Sequence, residues 1–443
     1  MFSKSQESGK ENMPIQSDKV LFNLPVTKQW LEQYILVHNQ SGSSFRDIRY
    51  SLTTLFDVSR SMGWVHNVLK DASNTASKIN NFEDLSNIKV SANDEMFDHQ
   101  KPILTSVCTN SLYCPLLQKE GNRKAVTWES RLLELLDKGY HPKSIILDGL
   151  NSLHAGHKLA LYDVNIIYDT FHITQDLVNL RRYANNKLKS SSTNLYSIME
   201  KLERAKDKAK IKSLKAQLVV AQKNYDEALL LYQSIATLCS WMQHDILVVA
   251  GYDYAARLEL LGFTADEFEK LEDSVLSHRI QPVRKTLQKN SEKLLGFLKD
   301  LENELSDYAD ELNCDIYWLW QLCYAQRYSK DHNKYYQFIA KIRSRFKHDF
   351  HHIEQTVIAI MCEIEKASSV VENLNGRIRK FLMNHIHVSQ ESLNLLRFIL
   401  NHREFERSRC EHREGKSPAE VLHGEAHDHW LEQLGYKLFK QAA

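Results

Sequence analysis

From Ile88 to Tyr168 the chain is built of short β-branched runs, and from residue 174 to about 345 almost wholly of helical repeats. One run constrains the first stretch most. Ser144-Ile145-Ile146-Leu147 is short, apolar and closed by Asp148, as a central parallel strand buried on both faces should be. Ile88 to Ala92 (leading to Asp94), Pro102 to Val107, Leu112 to Leu117 and Val164 to Tyr168 read as further strands. Trp128 to Leu136 and Leu153 to Leu161 read as amphipathic helices between them. The order β-β-β-α-β-α-β predicts a three-stranded meander extended by βαβ units into one mixed sheet. Sheets of this kind gather ligands at the carboxyl ends of their strands.

Helical spacing dominates elsewhere. Lys28 to His38 puts Trp30, Leu31, Tyr34 and Ile35 on one face, and Phe45 to about Leu55 puts Ile48, Leu52 and Leu55 inward. After a turn at Phe56-Asp57-Val58-Ser59, Ser61 to Lys78 puts Trp64, Val65, Val68, Leu69 and Ala72 inward. Three short helices with a tight turn before the last outline a helix-turn-helix, which makes Arg60, Ser61, His66, Asn67 and Lys70 candidate DNA contacts. The alternative is a generic three-helix packing element.

Farther on, Leu195, Ile198, Leu202, Ala205 and Ala209 step by three and four, as do Ile211, Leu214, Leu218, Ala221, Tyr225, Ala228 and Tyr232. That rhythm predicts a coiled-coil hairpin or a long bundle helix. Trp241, Trp318 and Trp320 read as core. A long helix running on from Tyr335 should carry Glu372 and Arg377, and Glu391 to Asn401 should form another. The tail is basic, with Arg397, His402, Arg403, Arg407, Arg409, Arg413 and Lys416.

A chain of 443 residues needs two to four domains. With 14 glycines and 7 prolines it favours a helix-rich protein over an all-β one. The net charge of +1 gives no global sign of a nucleic-acid partner, so any such binding rests on local patches. No run of 18 apolar residues occurs, and Met1 to Lys19 is polar, without a signal-peptide core. Seven scattered cysteines with no Cys-x-x-Cys pair support neither a disulfide framework nor a zinc knuckle, and fit a reducing cytoplasm.

Asp94, Asp148 and Glu372 carry the chemistry. The first two are expected at strand ends and the third on a helix. Carboxylates are the hard oxygen ligands Mg²⁺ prefers, and two such ions about 3.5–4 Å apart can activate an oxygen nucleophile and steady the leaving oxygen of a phosphodiester. Singly, each is an ordinary surface acid; jointly they form a candidate catalytic and metal-binding triad. The Asp169-x-x-His172 pair either supports that site, contacts DNA, or is a buried hydrogen-bonded pair capping the next helix. His172 is not expected as a ligand, because Mg²⁺ seldom uses imidazole. Arg377, Arg379 and Lys380 either neutralise phosphate beside the metals or form a solvated face. Arg377 is i+5 from Glu372 and need not share its face, whereas Arg379 is i+7 and should.

Four stretches together resemble bacterial insertion-sequence transposases of the Asp-Asp-Glu type with an RNase H-like core. They are Ala92-Asn93-Asp94-Glu95-Met96-Phe97, Ile146-Leu147-Asp148-Gly149-Leu150 with His154-Ala155-Gly156, Tyr168-Asp169-Thr170-Phe171-His172, and Val371-Glu372-Asn373-Leu374-Asn375-Gly376-Arg377-Ile378-Arg379. The run from Leu400-Asn401-His402-Arg403 to Gly415-Lys416-Ser417-Pro418-Ala419-Glu420 is also similar to this family. The resemblance covers roughly residues 45–435. The Asp-x-x-His signature looks like the type in which an all-helical domain interrupts the core before the final Glu.

The fold class expected is therefore α/β plus all-α: an RNase H-like mixed sheet interrupted by a large helical insertion and preceded by a helix-turn-helix. The expected segments are a disordered 1–20, a DNA-binding 21–82, the first part of the core at 83–173, the insertion at 174–345, and the last part of the core with its basic tail at 346–443. The resemblance implies an enzyme that uses two Mg²⁺ ions (Mn²⁺ could substitute), held by Asp94, Asp148 and Glu372, to cleave element ends and join the freed 3′-hydroxyl to target DNA. It implies double-stranded DNA as partner, a homodimer or larger synaptic complex, and a bacterial cytoplasmic, nucleoid-associated location. No zinc-binding N-terminal module of the kind many such enzymes carry is visible. The alternative is an inactive or domesticated transposase-derived DNA-binding protein.

Overall fold

The structure, a computed structural model, describes residues 26–438 except 150, 273–276, 367–368, 386 and 409. The expected disorder of 1–20, Leu150 and Arg409 lie outside the described residues. The described residues form two compact units, one of residues 26–72 with 428–438, the other within residues 73–427. No helix among the described residues is long and apolar enough to cross a membrane, and every described cysteine is a free thiol.

In the first unit lie α1 (Lys28–Gln40), α2 (Phe45–Phe56) and the first half of α3 (Met62–Asn81). Local chemistry starts and stops them. Thr27 caps α1, Ser44 and Asp47 form a reciprocal capping box on α2, and left-handed Asp57 (φ 53°) ends it. Ile48, Leu52, Val65, Val68, Leu69 and Ala72 are buried as the spacing predicts. Leu55 is not: it is 68% exposed. Its neighbour Phe56 turns inward instead, with its ring 5.0 Å from Trp30 and 5.5 Å from Tyr34, edge-on to both.

The second unit holds one five-stranded sheet in the order β3-β2-β1-β4-β5. Its strands are β1 (Val90–Asp98), β2 (Lys101–Cys108), β3 (Leu116–Lys119), β4 (Ser144–Leu147) and β5 (Asn165–Tyr168). β1, β2 and β3 pair antiparallel, and β1-β4 and β4-β5 pair parallel. Between strands run α4 (Ala125–Leu136) and α5 (Asn151–Ala160). The third strand starts later than expected, because left-handed Leu112 (φ 62°) is spent in the turn where Cys108 N–H bonds to the Tyr113 carbonyl.

A helical region follows: α6 (Thr170–Arg204), α7 (Lys208–Trp241), α8 (Tyr254–Lys270), α9 (Ser277–Leu294), α10 (Gly296–Glu311), α11 (Ile316–Ala325) and α12 (Asn333–Phe346). Beyond it come α13 (Phe350–Glu363), α14 (Ser369–Met383), α15 (Gln390–His402) and α16 (Pro418–His423), while a short α17 (Trp430–Gln433) belongs to the first unit. The single long helix expected from Tyr335 is thus three. Lys347 (φ 49°) breaks it first, and extended Ile364 breaks it again.

Two apolar layers sandwich the sheet. Ile145, Leu147, Ile166 and Leu104 pack with Trp128, Leu132, Leu153 and Leu422 from α4, α5 and α16. Ala92, Met96, Ile146 and Ile167 share the larger core with Val371, Leu374 and Ile378 of α14 and with the helical region. Trp320 is buried in that core, and Trp241 and Trp318 pack against it partly exposed. Two residues of the basic tail are structural rather than free. Arg397 is buried and bonds to Glu83 (2.9 Å) and to the Pro115 and Asn80 carbonyls, while Arg413 reaches the Asn110 and Thr109 carbonyls.

Candidate active site

The parallel ladder ends with Asn93 opposite Leu147, and Leu147 opposite Tyr168. The next residues are Asp94, Asp148 and Asp169, so three acids leave adjacent strands at one level, with neighbouring strands ~4.8 Å apart. Asp94 was expected to close its strand. It sits mid-strand, because β1 keeps its antiparallel partner β2 as far as Asp98 after β4 has ended. The carboxyl edge of the shorter parallel strand thereby falls beside it.

Glu372 enters on α14, which covers the same face of the sheet as Ala92 and Met96. What brings it there is a pin at the start of α6: the Thr170 N–H and Oγ1 both donate to the Lys366 carbonyl, at 3.2 and 2.7 Å. One turn along α14 from Glu372, Asn375 donates Nδ2 to Asp94 Oδ2 at 2.6 Å and accepts from Thr105 Oγ1. Asp94 Oδ1 also accepts from the Glu95 N–H.

Burial pushes the Asp94 carboxyl up to about 6, and the negative charges of Asp148 and Glu372 push the same way; the Glu95 N–H and His172 oppose it. Glu372 itself lies 3.8 Å from Arg379 Nη1, so Arg379 shares its face as the i+7 spacing implies. Arg377 and Lys380 are exposed residues; desolvation of the Arg377 guanidinium, helped by the charge of Arg403, lowers its pKa. Among the described residues, no three His, Cys, Asp or Glu side chains stand close enough together to hold one metal ion. The donor set nevertheless suits a hard divalent cation: all oxygen, and mutually repelling without one.

Asp169 is fully buried and caps α6 through the Phe171 N–H (2.8 Å). His172 is partly exposed, 3.6 Å from Asp169 Oδ2. The Asp-x-x-His pair is therefore half cap and half surface, and not a buried pair. In the first unit, Arg60, His66, Asn67 and Lys70 are exposed. Arg60 stacks on Trp64 at 5.2 Å, while the Ser61 hydroxyl is occupied in capping α3 through the Trp64 N–H.

Two histidines of α5 complete the site. His154 Nε2 donates to the Asp148 carbonyl at 2.7 Å, and His157 Nε2 accepts from Asn93 Nδ2 at 2.7 Å while its Nδ1 donates to Leu153 O. Each thus holds the backbone or neighbour of one acid. Desolvation lowers both to about 4, so both stay neutral at pH 7 and keep these tautomers. Gly149 is needed for close approach, since a Cβ there would meet the Tyr168 ring. The i,i+3 spacing of His154 and His157, and of Glu372 and Asn375, was the signal in the sequence. Read alone, each looks like an ordinary helix residue. No protein-family profile matches the chain, and no curated protein matches it.

Proposed function

We propose that the chain is an RNase H-like DNA transposase that cleaves element ends and transfers the freed strand to target DNA. The observation that carries this reading is that Asp94 and Asp148 leave adjacent strands at the carboxyl edge of a β3-β2-β1-β4-β5 sheet, with Glu372 on α14 one turn from the Asn375 that binds Asp94. Asp94, Asp148 and Glu372 would hold Mg²⁺, or Mn²⁺ in its place, which when bound supplies charge neutralisation at phosphorus and a polarised oxygen. The chain's own part would be to gather these acids at one edge of the sheet. Asn375 and the Glu95 N–H fix both oxygens of Asp94, and His154 fixes the Asp148 backbone.

In the first step a water oxygen bonds to phosphorus as the P–O3′ bond breaks, leaving a 3′-hydroxyl and a 5′-phosphate, with one water proton ending on the leaving 3′-oxygen and the other passing to solvent. In the second, that hydroxyl attacks a target phosphodiester and expels another 3′-oxygen. Arg379, beside Glu372, would meet phosphate. Joining two ends implies at least a homodimer on double-stranded DNA, in a bacterial cytoplasm. Arg60, Asn67 and Lys70 would provide separate backbone contacts.

A second reading, a DNA-binding protein derived from such an enzyme but inactive, draws on Glu372 being engaged by Arg379. Nicking of supercoiled DNA in Mg²⁺ or Mn²⁺ separates the two. Asp148→Ala should lose activity by at least ~100-fold. Equal nicking by variant and wild type sinks the enzyme reading.

A further inference from the structure

We propose that Arg181, Arg182, Asn185 and Tyr232 form a docking pocket for the phosphate backbone of duplex DNA, an inference that rests on the transposase reading above. With Val178 they line one open cavity of about 500 Å³ between α6 and α7. The spacing explains the lining. Val178, Arg181, Arg182 and Asn185 stand at i, i+3, i+4 and i+7, so they share one face of α6. α7 packs along that helix: the Cys239 thiol lies 3.5 Å from the Leu177 carbonyl, and Leu177, Leu180 and Ala184 share a core with Leu231, Ile235 and Leu238. Tyr232 follows Leu231 and closes the cavity from the α7 side.

The pocket is cationic and uncompensated. From Leu177 to Met199, α6 carries Arg181, Arg182, Lys187 and Lys189 and no acid, while α7 from Ala228 to Trp241 carries no charge at all. Both arginines are exposed, and neither pairs with a carboxylate among the described residues. Asn185 and Tyr232 are half-buried and make no side-chain hydrogen bond with a described residue. Two guanidinium forks, an amide and a phenol therefore offer hydrogens around one cavity. These are the donors that bind phosphate oxygens in DNA backbone contacts, and a guanidinium can hold two oxygens of one phosphate at once. Neighbouring guanidiniums repel each other when alone; a polyanion relieves that repulsion and releases its condensed counter-ions.

The pocket stands apart from the carboxylates. His172, which lies 3.6 Å from Asp169, is nine residues before Arg181; at about 100° per residue the two occupy opposite sides of α6. α9 covers the Tyr183 side, with Arg279 over the Tyr183 ring at 5.1 Å and the His278 ring at 6.2 Å. The Arg181 side is left exposed. The pocket would therefore hold a second stretch of duplex, as joining an element end to a target calls for.

Binding of a short fluorescent duplex in EDTA tests this without any cleavage. Arg181→Gln with Arg182→Gln should weaken binding and flatten the slope of log K against log salt by about 2, since each lost phosphate contact is worth roughly 0.9. Tyr232→Phe keeps the ring and every charge, so it should weaken binding roughly 2- to 12-fold, the worth of one hydrogen bond, with the slope unchanged. Lys208→Gln with Lys210→Gln, exposed at the start of α7, removes the same charge elsewhere and should leave affinity and slope alone. Thermal unfolding checks that all three variants fold. An unchanged slope in the arginine double, an equal drop in the lysine double, or wild-type affinity in Tyr232→Phe overturns the pocket. So does wild-type duplex binding by the arginine double when inorganic phosphate raises the melting temperature of the wild type alone, which would assign the pocket to a small phosphate ligand. The two readings fail separately. If Asp148→Ala nicks DNA like wild type while the arginine double loses binding, the carboxylate reading falls and the pocket stands; the reverse pair of results keeps the enzyme and removes the pocket.

Discussion

At the scale of single residues, the site is held together against its own charges. Asp94 has its carboxyl raised to about 6, against an ordinary value of 3.8. A group with a raised native pKa binds protons more tightly when folded. Its stabilisation is therefore complete below pH 3.8 and lost as pH rises through 6. Asp94→Asn should then make the protein more stable at pH 7.5, by about 1–2 kcal/mol after allowing for solvent access, with little gain at pH 4. Urea denaturation at the two pH values reads this directly; a destabilised variant at pH 7.5 would show that the acid is satisfied as it stands. The same variant should be inactive, the trade expected where function stores repulsion. His154 and His157 have the opposite sign. Held near 4, they take up fewer protons folded than unfolded, so their contribution is intact above pH 6.5 and is lost as pH falls toward 4.

Elements position these residues by close approach. α5 lies so near α4 that a Cβ at Gly156 would collide with Trp128 Cβ and the Ala125 carbonyl, at 2.6 and 2.7 Å. Gly156→Ala should therefore cost about 1–3 kcal/mol by overpacking, although alanine ordinarily favours a helix. A melting temperature equal to or above wild type would show that the helices can part freely. The shift matters for the site because α5 carries both histidines that brace Asp148 and Asn93. On the opposite face, α14 has the same function for Asp94 through Asn375. These pairings were half legible: the 3.6-residue rhythm revealed both helices, but a rhythm cannot say which sheet face a helix will cover.

Across the whole chain, stability is unevenly spread. The distal part of the α6–α7 hairpin has its own small cluster, Leu195, Ile198, Leu214 and Ala221, apart from the main core. Amide exchange there should be faster than in β1 or β4, because opening the tip costs only that cluster; protection equal to the sheet's would show that the hairpin unfolds only globally. The sequence by itself determined the strand runs, the mixed-sheet order, the helices flanking the strands and the helical character of 174–345, since these depend on local periodicity and on residue type. It misplaced Leu55, the start of β3 and the unbroken helix after Tyr335, where single left-handed or extended residues decide and leave no periodic trace. Only tertiary structure decided that the helix of Glu372 is bound to Asp94, through Asn375. The return depends on Thr170 holding the Lys366 carbonyl across 196 residues of chain, a long-range hydrogen bond that no window of sequence contains.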